Sequence, residues 1–297
     1  MSARADLVAS SVLTDDVLAG IRDRAPGYDQ RNEFFQEDLD ILREIGYLKP
    51  RSLPQMSSDQ RRLAAHAPAT ALGIGMHLTW MGVSRDMVNA GHTELQWVLD
   101  DGEAGELFAF GVSERGNDRV LSDSLVTASE AEGGYSFTGQ KIFVSLSPAW
   151  TRLSLLGRHG DEIIHGFITR DQEGWSNTPD WDTLGMRATQ SYTTQLEGVV
   201  VEHARVARRL PVGANEDPFT IAIFQNFLLL VSSVYAGIAD RALELTVEGA
   251  TSKHSALDHE AAYADDPDIR RQAAASAIAV DALTPQLETY CSWADAA

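Results

Sequence analysis

Two side chains in this sequence stand out first as candidates for chemistry, His77 and Arg187. His77 lies in the apolar segment Gly75-Met-His-Leu-Thr, where an imidazole could hold or transfer a proton. A core histidine bonded to a backbone carbonyl is the alternative. Arg187 could bind an anionic group through its planar guanidinium, or it could form a structural ion pair. The sequence contains no Ser-His-Asp set, P-loop or Gly-x-Gly-x-x-Gly fingerprint.

A second group of polar side chains lies near the end of the chain. His254 and His259, together with Asp258 and Glu260, are residue types that can hold a metal ion. They occupy a polar linker without His-x-x-x-His spacing, so we expect a solvated loop and no metal. The single cysteine, Cys291, excludes an internal disulfide and any cysteine-cluster metal site. We expect it to be a small buried hydrophobic residue.

The composition is that of a globular protein with a large negative charge. The 297 residues include 43 acidic and 24 basic side chains, which gives a formal charge of −19 at pH 7. Such a field repels nucleic acid, and a phosphorylated cofactor would need local backbone amides or arginines. The longest uninterrupted apolar run, residues 227–231, is too short to span a bilayer, and the N-terminus lacks a signal-peptide pattern. We therefore expect no nucleic-acid or membrane partner and a cytoplasmic location.

Helical periodicity marks both ends of the chain. Apolar residues recur at helical spacing over residues 34–46 and 70–87, and Gly46 supplies a stop for the first of these helices. Ser58 or Asp59 could cap a helix between them, and residues 92–99 could add another. Asp217-Pro218 matches an N-cap followed by proline in the first turn of a helix that is apolar nearly all round. A last helix is expected from about Pro267.

The middle of the chain has the pattern of a β-domain. Short runs rich in β-formers are separated by turn residues such as Glu132-Gly133-Gly134 and Thr138-Gly139-Gln140. The runs cover residues 107–112, 124–129, 135–138, 141–145, 153–156, 163–169 and 193–201. They predict an antiparallel sandwich or barrel. The fold class is therefore α+β, with an N-terminal helical domain (1–106), a central β-domain (107–214) and a partial C-terminal helical bundle (215–297).

Three segments of the middle part resemble the acyl-CoA dehydrogenase flavoprotein family. Phe108-Ala-Phe-Gly-Val-Ser-Glu-Arg-Gly-Asn-Asp118 is similar to the family's strand and loop with Thr-Glu-Pro and Gly-Ser-Asp. Gly134-Tyr-Ser-Phe-Thr-Gly-Gln-Lys-Ile-Phe-Val-Ser145 resembles its hairpin, Gly-Tyr-x-Leu-x-Gly-x-Lys-x-Trp/Phe-Ile-Thr/Ser. Trp181-Asp-Thr-Leu-Gly-Met-Arg-Ala-Thr-Gln-Ser191 resembles its Leu-Gly-Met-Arg loop. The three occur in the family's order, between two helical regions.

The resemblance implies a flavin site in the β-domain. It places Phe143 against the flavin ring, the Ser145 hydroxyl near N5, with Val144 between them, and Ser113 on the pyrimidine side. It also implies that Asn117 and Arg187 contact the substrate. A β-framework with an aromatic side chain, hydroxyls and free backbone groups suits a planar ring that has a polar edge. The implied cofactor is FAD, or FMN for monooxygenase chemistry. Read without the resemblance, Phe143 would be hairpin core and Ser145 a strand-end hydroxyl.

The sequence departs from the family where the catalytic base is expected. Desaturation of an acyl thioester needs a glutamate that removes the α-proton. In some members this base lies on the first C-terminal helix, where Phe227 stands here. In most members it lies in a later segment, which would follow Ala297. The family's diphosphate-binding Arg-x-Phe-Gly stretch is also absent, and the loop at residues 115–117 is shorter.

Three functions remain open from the sequence. The first is an FAD-dependent oxidoreductase of the acyl-CoA dehydrogenase type that acts on an acyl thioester. The second is a flavin-dependent monooxygenase on the same fold, in which His77 would stabilise flavin–oxygen chemistry. The third is a non-catalytic or truncated member that serves as an assembly subunit. The missing base predicts negligible acyl-CoA dehydrogenase turnover. The apolar C-terminal helices predict a homodimer or homotetramer.

Overall fold

Helices form the first part of the chain. The computed structural model describes residues 12–256 and 261–294. The described chain begins with α1 (Asp15–Arg31), α2 (Gln36–Glu44), α3 (Leu53–Ala64), α4 (Pro68–Asn89) and α5 (Gln96–Glu103). The helices expected over residues 34–46, 70–87 and 92–99 correspond to α2, α4 and α5. Gly46 has a φ of 75° just beyond α2, which is the left-handed conformation of a helix stop.

The predicted start of α3 was wrong. The helix begins at Leu53 and carries Pro54 in its first turn, where a proline has no hydrogen bond to lose. Ser58 and Asp59 are buried inside the helix instead of capping it. The carboxylate of Asp59 lies 2.6 Å from the guanidinium of Arg51, so it serves an ion pair within the fold.

The middle part forms one sheet of eight strands. These are β1 (Phe108–Gly111), β2 (Thr127–Ala131), β3 (Gly134–Val144), β4 (Arg152–His159), β5 (Glu162–Thr169), β6 (Trp175–Thr178), β7 (Tyr192–Glu202) and β8 (Val206–Pro211). The order is β6-β7-β3-β2-β4-β5-β8, with β1 added beside β4. Most pairs are antiparallel, whereas β1 and β2 each pair with β4 in parallel. Gly166 of β5 faces Val201 of β7 so closely that a Cβ would lie 2.4 Å from it, so two layers of the sheet are in contact. The predicted α+β fold is confirmed.

Strand β3 is longer than the sequence predicted. A turn was expected at Thr138-Gly139-Gln140, but β3 runs through it as a single strand of 11 residues. Gly139 has a φ of 145° and lies against Val126, where a Cβ would come within 2.9 Å of the valine side chain. The glycine therefore permits close contact between segments and does not end a strand.

The C-terminal helices pack on α3 and α4. Helix α6 (Pro218–Ser252) begins as predicted, with the carboxylate of Asp217 accepting a hydrogen bond from the N–H of Phe219 at 2.9 Å. Gly237 lies against α3, where a Cβ would be 2.1 Å from the carbonyl oxygen of Arg61. The expected last helix is divided into α7 (Pro267–Asp281) and α8 (Leu283–Ala294).

Helix α6 also meets the length and composition of a membrane span. No uninterrupted apolar run in the sequence indicates this, because Ser232, Ser233 and Gly237 interrupt the run without adding charge. Half of the apolar window of α6 is buried within the fold.

Candidate active site

A bulge in strand β3 turns Phe143 outward. Lys141 pairs with Thr194 and Val144 with Tyr192, so two residues of β3 stand opposite a single residue of β7. Phe143 has a φ of 59°, a left-handed conformation that is unusual for a bulky residue and coincides here with the bulge. Its side chain is 59% exposed. Phe143 is therefore not hairpin core, and its ring is free to contact a ligand.

The loop after β6 supplies a second aromatic wall. The ring of Trp181 lies edge-on to that of Phe143, with 6.0 Å between centroids. Its indole N–H donates to the carbonyl oxygen of Met186 at 3.2 Å, which fixes the ring against its own loop. Leu184, at the tip of the loop, is fully exposed. Phe143 and Trp181 thus form an apolar surface.

Buried hydroxyl groups lie behind Phe143. The Oγ of Ser145 is 2.8 Å from the Oγ of Ser191, which is 2.7 Å from the Oγ1 of Thr189. The Thr189 hydroxyl donates to the carbonyl oxygen of Met186 at 2.9 Å. Thr189 is fully buried, and Ser145 and Ser191 are each more than nine-tenths buried. Val144, between Phe143 and Ser145, is buried in the sheet. The exposed ring of Phe143 is therefore two residues from Ser145, whose hydroxyl begins a buried set of three.

The N-terminal helices hold the Trp181–Ser191 loop in place. Asn32, which caps the C-terminus of α1, donates from Nδ2 to the carbonyl oxygen of Trp181 at 2.8 Å. The side-chain amide of Gln190 donates to the Oδ1 of Asn32 at 3.0 Å. Arg187 donates to the carbonyl oxygen of Asp29 at 2.8 Å and pairs with Asp182 at 2.7 Å. Arg187 is engaged in the loop, so its role in substrate binding stays a prediction.

Ser113 reaches the site through its backbone. Its carbonyl oxygen accepts a hydrogen bond from the N–H of Ile142, the residue before Phe143, at 2.9 Å. Asn117 lies in the same loop, but its carboxamide donates to the Oε2 of Glu114 at 2.8 Å and to the carbonyl oxygen of Asp123 at 3.1 Å. The side chain of Asn117 therefore stabilises the loop, and its predicted contact with substrate stays a prediction.

A buried ion pair, which the sequence analysis did not single out, lies beneath these segments. The ammonium of Lys141 is 2.5 Å from the Oε1 of Glu114, and both side chains are almost completely buried. Burial would raise the pKa of Glu114, but Lys141 and the hydrogen bonds from Ser124 and Leu125 hold it below its usual range. Burial lowers the pKa of Lys141 to about 8, although Glu114 opposes that shift. Both residues are positions of the motifs quoted above, the glutamate of the first and the lysine of the second, and that is the signal by which the sequence could have indicated the pair.

His77 is a core histidine. Its Nε2 lies 2.7 Å from the carbonyl oxygen of Leu48, and its Nδ1 accepts from the N–H of Phe108 at 3.2 Å. Nε2 must therefore carry the proton, and the imidazole is neutral. Burial lowers the pKa of His77 to about 4, against the opposing bond to Leu48 and with help from Arg43 and Arg51. The side chain is fully buried, so it packs helix α4 against β1 and does not face a ligand surface.

The position expected for a base on α6 carries no carboxylate. Phe227 is half-buried and packs edge-on against Phe110 of β1, with ring centroids 5.8 Å apart. The described residues contain no group of three or more His, Cys, Asp or Glu that could hold a metal. Of the suspected metal ligands near the C-terminus, His254 is exposed, and Asp258, His259 and Glu260 lie outside the described residues.

Known proteins resemble the chain in sequence over part of their length. No family model matches it. The provisionally named acyl-CoA dehydrogenase YdbM of Bacillus subtilis is 26% identical over 252 residues, or 75% of this chain and 61% of that protein. A dibenzothiophene monooxygenase of Mycolicibacterium goodii is 34% identical over 148 residues, or 46% of this chain and 35% of that protein. The chain thus spans less than two thirds of either relative.

Solved structures share the fold over nearly the whole chain. A nitrososynthase of Micromonospora carbonacea has a TM-score of 0.78 at 21% identity and covers 98% of this chain and 78% of its own. Butyryl-CoA dehydrogenase of Megasphaera elsdenii has a TM-score of 0.77 at 16% identity, with 93% and 79% covered. FMN-bound TdsC of Paenibacillus sp. A11-2 has a TM-score of 0.76 at 21% identity, with 93% and 75% covered. The chain therefore has the acyl-CoA dehydrogenase-like fold, in agreement with its sequence motifs, and proteins of this fold include both dehydrogenases and monooxygenases.

Proposed function

We propose that the chain binds a flavin, FMN or FAD, at the surface formed by Phe143, Trp181 and the Ser145 hydroxyl. The supporting observation is the bulge in β3, which presents an exposed aromatic ring directly beside buried hydroxyls. A planar ring with an apolar face and a polar edge fits this set of groups. Phe143 would contact the face, Ser145 the edge, and the backbone around Ser113 would line the site. A bound flavin would supply the electron exchange, because protein side chains do not accept a hydride.

We further propose that the reaction is a flavin-dependent monooxygenation of a small molecule. Phe227 supports this choice, because it places an apolar ring at one of the two positions where desaturation of a thioester would need its carboxylate. Three proteins of similar sequence favour the same chemistry, a nitrososynthase, the dibenzothiophene monooxygenase and an isobutylamine N-hydroxylase. The sequence match to YdbM favours desaturation of an acyl thioester as the second candidate.

Reconstitution with flavin tests the cofactor proposal. Protein freed of small molecules and titrated with FMN and with FAD should give a perturbed visible spectrum and quenched flavin fluorescence. Phe143→Ala should raise the dissociation constant about 5- to 30-fold, since loss of a stacking ring costs on the order of 1–2 kcal/mol. Leu245→Ala, on the exposed face of α6, is the matched control. Equal affinity in all three proteins would place the flavin elsewhere.

Turnover separates the two reactions. With flavin bound, dye reduction by a series of acyl-CoA thioesters should be negligible, because general-base catalysis typically contributes about 10²–10⁴-fold. Oxygen consumption with reduced flavin should instead rise when a suitable small molecule is added. Robust dye reduction by acyl-CoA would overturn the monooxygenase proposal and leave the flavin site intact.

A further inference from the structure

The three hydroxyl groups behind Phe143 form a chain with a fixed direction. Met186 provides the terminal group, a carbonyl oxygen that can only accept. The Thr189 hydroxyl lies 2.9 Å from that oxygen, so its single proton must lie between them. Thr189 therefore has only lone pairs left for its second neighbour, Ser191.

The donor and acceptor roles of Ser191 and Ser145 follow in the same way. Ser191 is 2.7 Å from Thr189, and because Thr189 must accept there, Ser191 donates. Ser145 is 2.8 Å from Ser191, whose proton is already used, so Ser145 donates in turn. Hydroxyl chains of this kind strengthen each bond cooperatively. The Oγ of Ser145 is then left with lone pairs and no proton for a ligand.

We infer that Thr189 and Ser191 are positioning residues that make Ser145 a hydrogen-bond acceptor and so select the reduced flavin. This inference rests on the proposed flavin site. At N5, the position near which the resemblance places Ser145, an oxidised isoalloxazine has a bare acceptor nitrogen, which would face the lone pairs of Ser145. In the reduced ring N5 carries a proton, which Ser145 can accept. The site therefore binds reduced flavin more tightly than oxidised flavin.

Burial keeps the direction of these hydrogen bonds fixed. Thr189 is fully buried, and Ser191 is 5% exposed, so solvent cannot easily supply a competing partner. The loop that carries both residues is tied to α1 through Asn32 and Gln190. The backbone N–H of Leu146 also donates to the carbonyl oxygen of Thr189 at 3.2 Å, which holds the two segments in register. Reversal of the chain would require Thr189 to turn its proton away from Met186 and leave two oxygen atoms in repulsive contact.

The test compares the affinity of the two redox states of FMN. Oxidised FMN and dithionite-reduced FMN, the latter without oxygen, are titrated into the protein and its variants. The wild type should bind reduced FMN about tenfold more tightly, which raises the midpoint potential of a two-electron couple by about 30 mV. Ser191→Ala and Thr189→Val each release the proton of Ser145, so the preference should disappear. Thr189→Ser keeps the hydroxyl and should keep the preference for reduced FMN. Ser129→Ala, at an exposed position, is the control and should behave as wild type.

Each outcome is decisive. Loss of the preference in Ser191→Ala and Thr189→Val, with retention in Thr189→Ser, supports the directed chain. If all variants bind FMN with the same ratio of oxidised to reduced affinity, the directed hydroxyl chain is overturned, but the proposed flavin site is not. Failure of both redox states to bind the wild type overturns the proposed function, and the inference fails with it.

Discussion

At the scale of single residues, the Glu114–Lys141 pair supports the whole candidate site. Glu114 accepts from Lys141, Ser124, Asn117 and the N–H of Leu125, so it joins the loop after β1 to the middle of β3. Lys141 lies two residues before Phe143, on the opposite side of the bulge. The pair therefore fixes the position from which the bulge begins.

Removal of one partner should be costly. Lys141→Met leaves the carboxylate of Glu114 buried without its counter-ion, and loss of one member of a buried pair costs about 3–5 kcal/mol. The free energy of unfolding by urea measures this loss. The double variant Glu114→Gln/Lys141→Met should recover part of it, because no buried charge remains. Lys49→Met removes an exposed pair with Glu103 and should change stability by less than about 0.5 kcal/mol. A similar small effect for Lys141→Met would show that the pair is not buried.

His77 should make the protein less stable in acid. Its pKa is about 4 in the fold and 6.5 when unperturbed, so below pH 6.5 the unfolded chain binds the proton more readily. Stability from this group is complete above pH 6.5, falls as the pH drops, and is lost at about pH 4, a change of about 3 kcal/mol. The difference in unfolding free energy between wild type and His77→Gln should therefore shrink by that amount between pH 7 and pH 4. A difference that does not vary with pH would contradict a neutral His77.

At the scale of elements, the crossing of α3 and α6 joins the two helical regions. The hydroxyls of Ser57 and Ser233 lie 2.8 Å apart within it. Arg61 holds Asp240 with two nitrogens and reaches Thr284 of α8 with the third. The close approach at Gly237 lets all three helices share this contact.

Gly237→Ala should force the crossing apart. Its methyl group would overlap the carbonyl oxygen of Arg61, and overpacking of this kind costs typically about 1–3 kcal/mol. Gly249→Ala lies on the same helix with no atom within 4 Å of the new methyl group and should stabilise by up to about 1 kcal/mol. Thermal and urea unfolding of the two variants would measure opposite shifts. Equal shifts would mean that α3 and α6 are not in contact.

Local patterns predicted the elements well and their contacts poorly. Asp217-Pro218 identified the start of α6 because an N-cap and a first-turn proline act within one helical turn. The strands β6 and β8 were missed, since β8 carries Arg208 and Arg209 and is held only by pairing with the distant strand β5. Glu114 and Lys141 are 27 residues apart, and their contact depends on the sheet. The motifs located Phe143 and Ser145, but Thr189 and Ser191 became connected to Ser145 only in the structure.

At the scale of the whole molecule, α6 presents an apolar face to solvent. Ile221, Phe224, Leu228 and Tyr235 are 43–57% exposed and follow one another at spacings of three, four and seven residues. This is the spacing of a seam between packed helices. No charged residue interrupts α6 before Asp240. We propose that a second copy of the chain covers this face.

Charge placed on this face should abolish association. The wild type should sediment as a dimer or tetramer at micromolar concentration, whereas Phe224→Asp/Leu228→Asp should sediment as a 32.4 kDa monomer with an unchanged circular dichroism spectrum. Thr246→Asp, at an exposed position farther along α6, should leave the assembly intact. A monomeric wild type would show that the face is not an interface between copies.

The bulge in β3 makes the number of residues between Lys141 and Ser145 more important than their identities. Side chains alternate between the two faces of a strand, and the bulge shifts that alternation by one residue, so that Lys141 and Val144 are both buried although three positions separate them. Substitution of Ile142 or Phe143 would change a surface, but deletion of either would reverse the facing of every residue after it, Ser145 included. Homologous chains that use this site should therefore tolerate varied residues between Lys141 and Ser145 and no insertion or deletion there. The number of residues from the buried lysine to the hydroxyl would then identify the site more reliably than the identity of the aromatic residue.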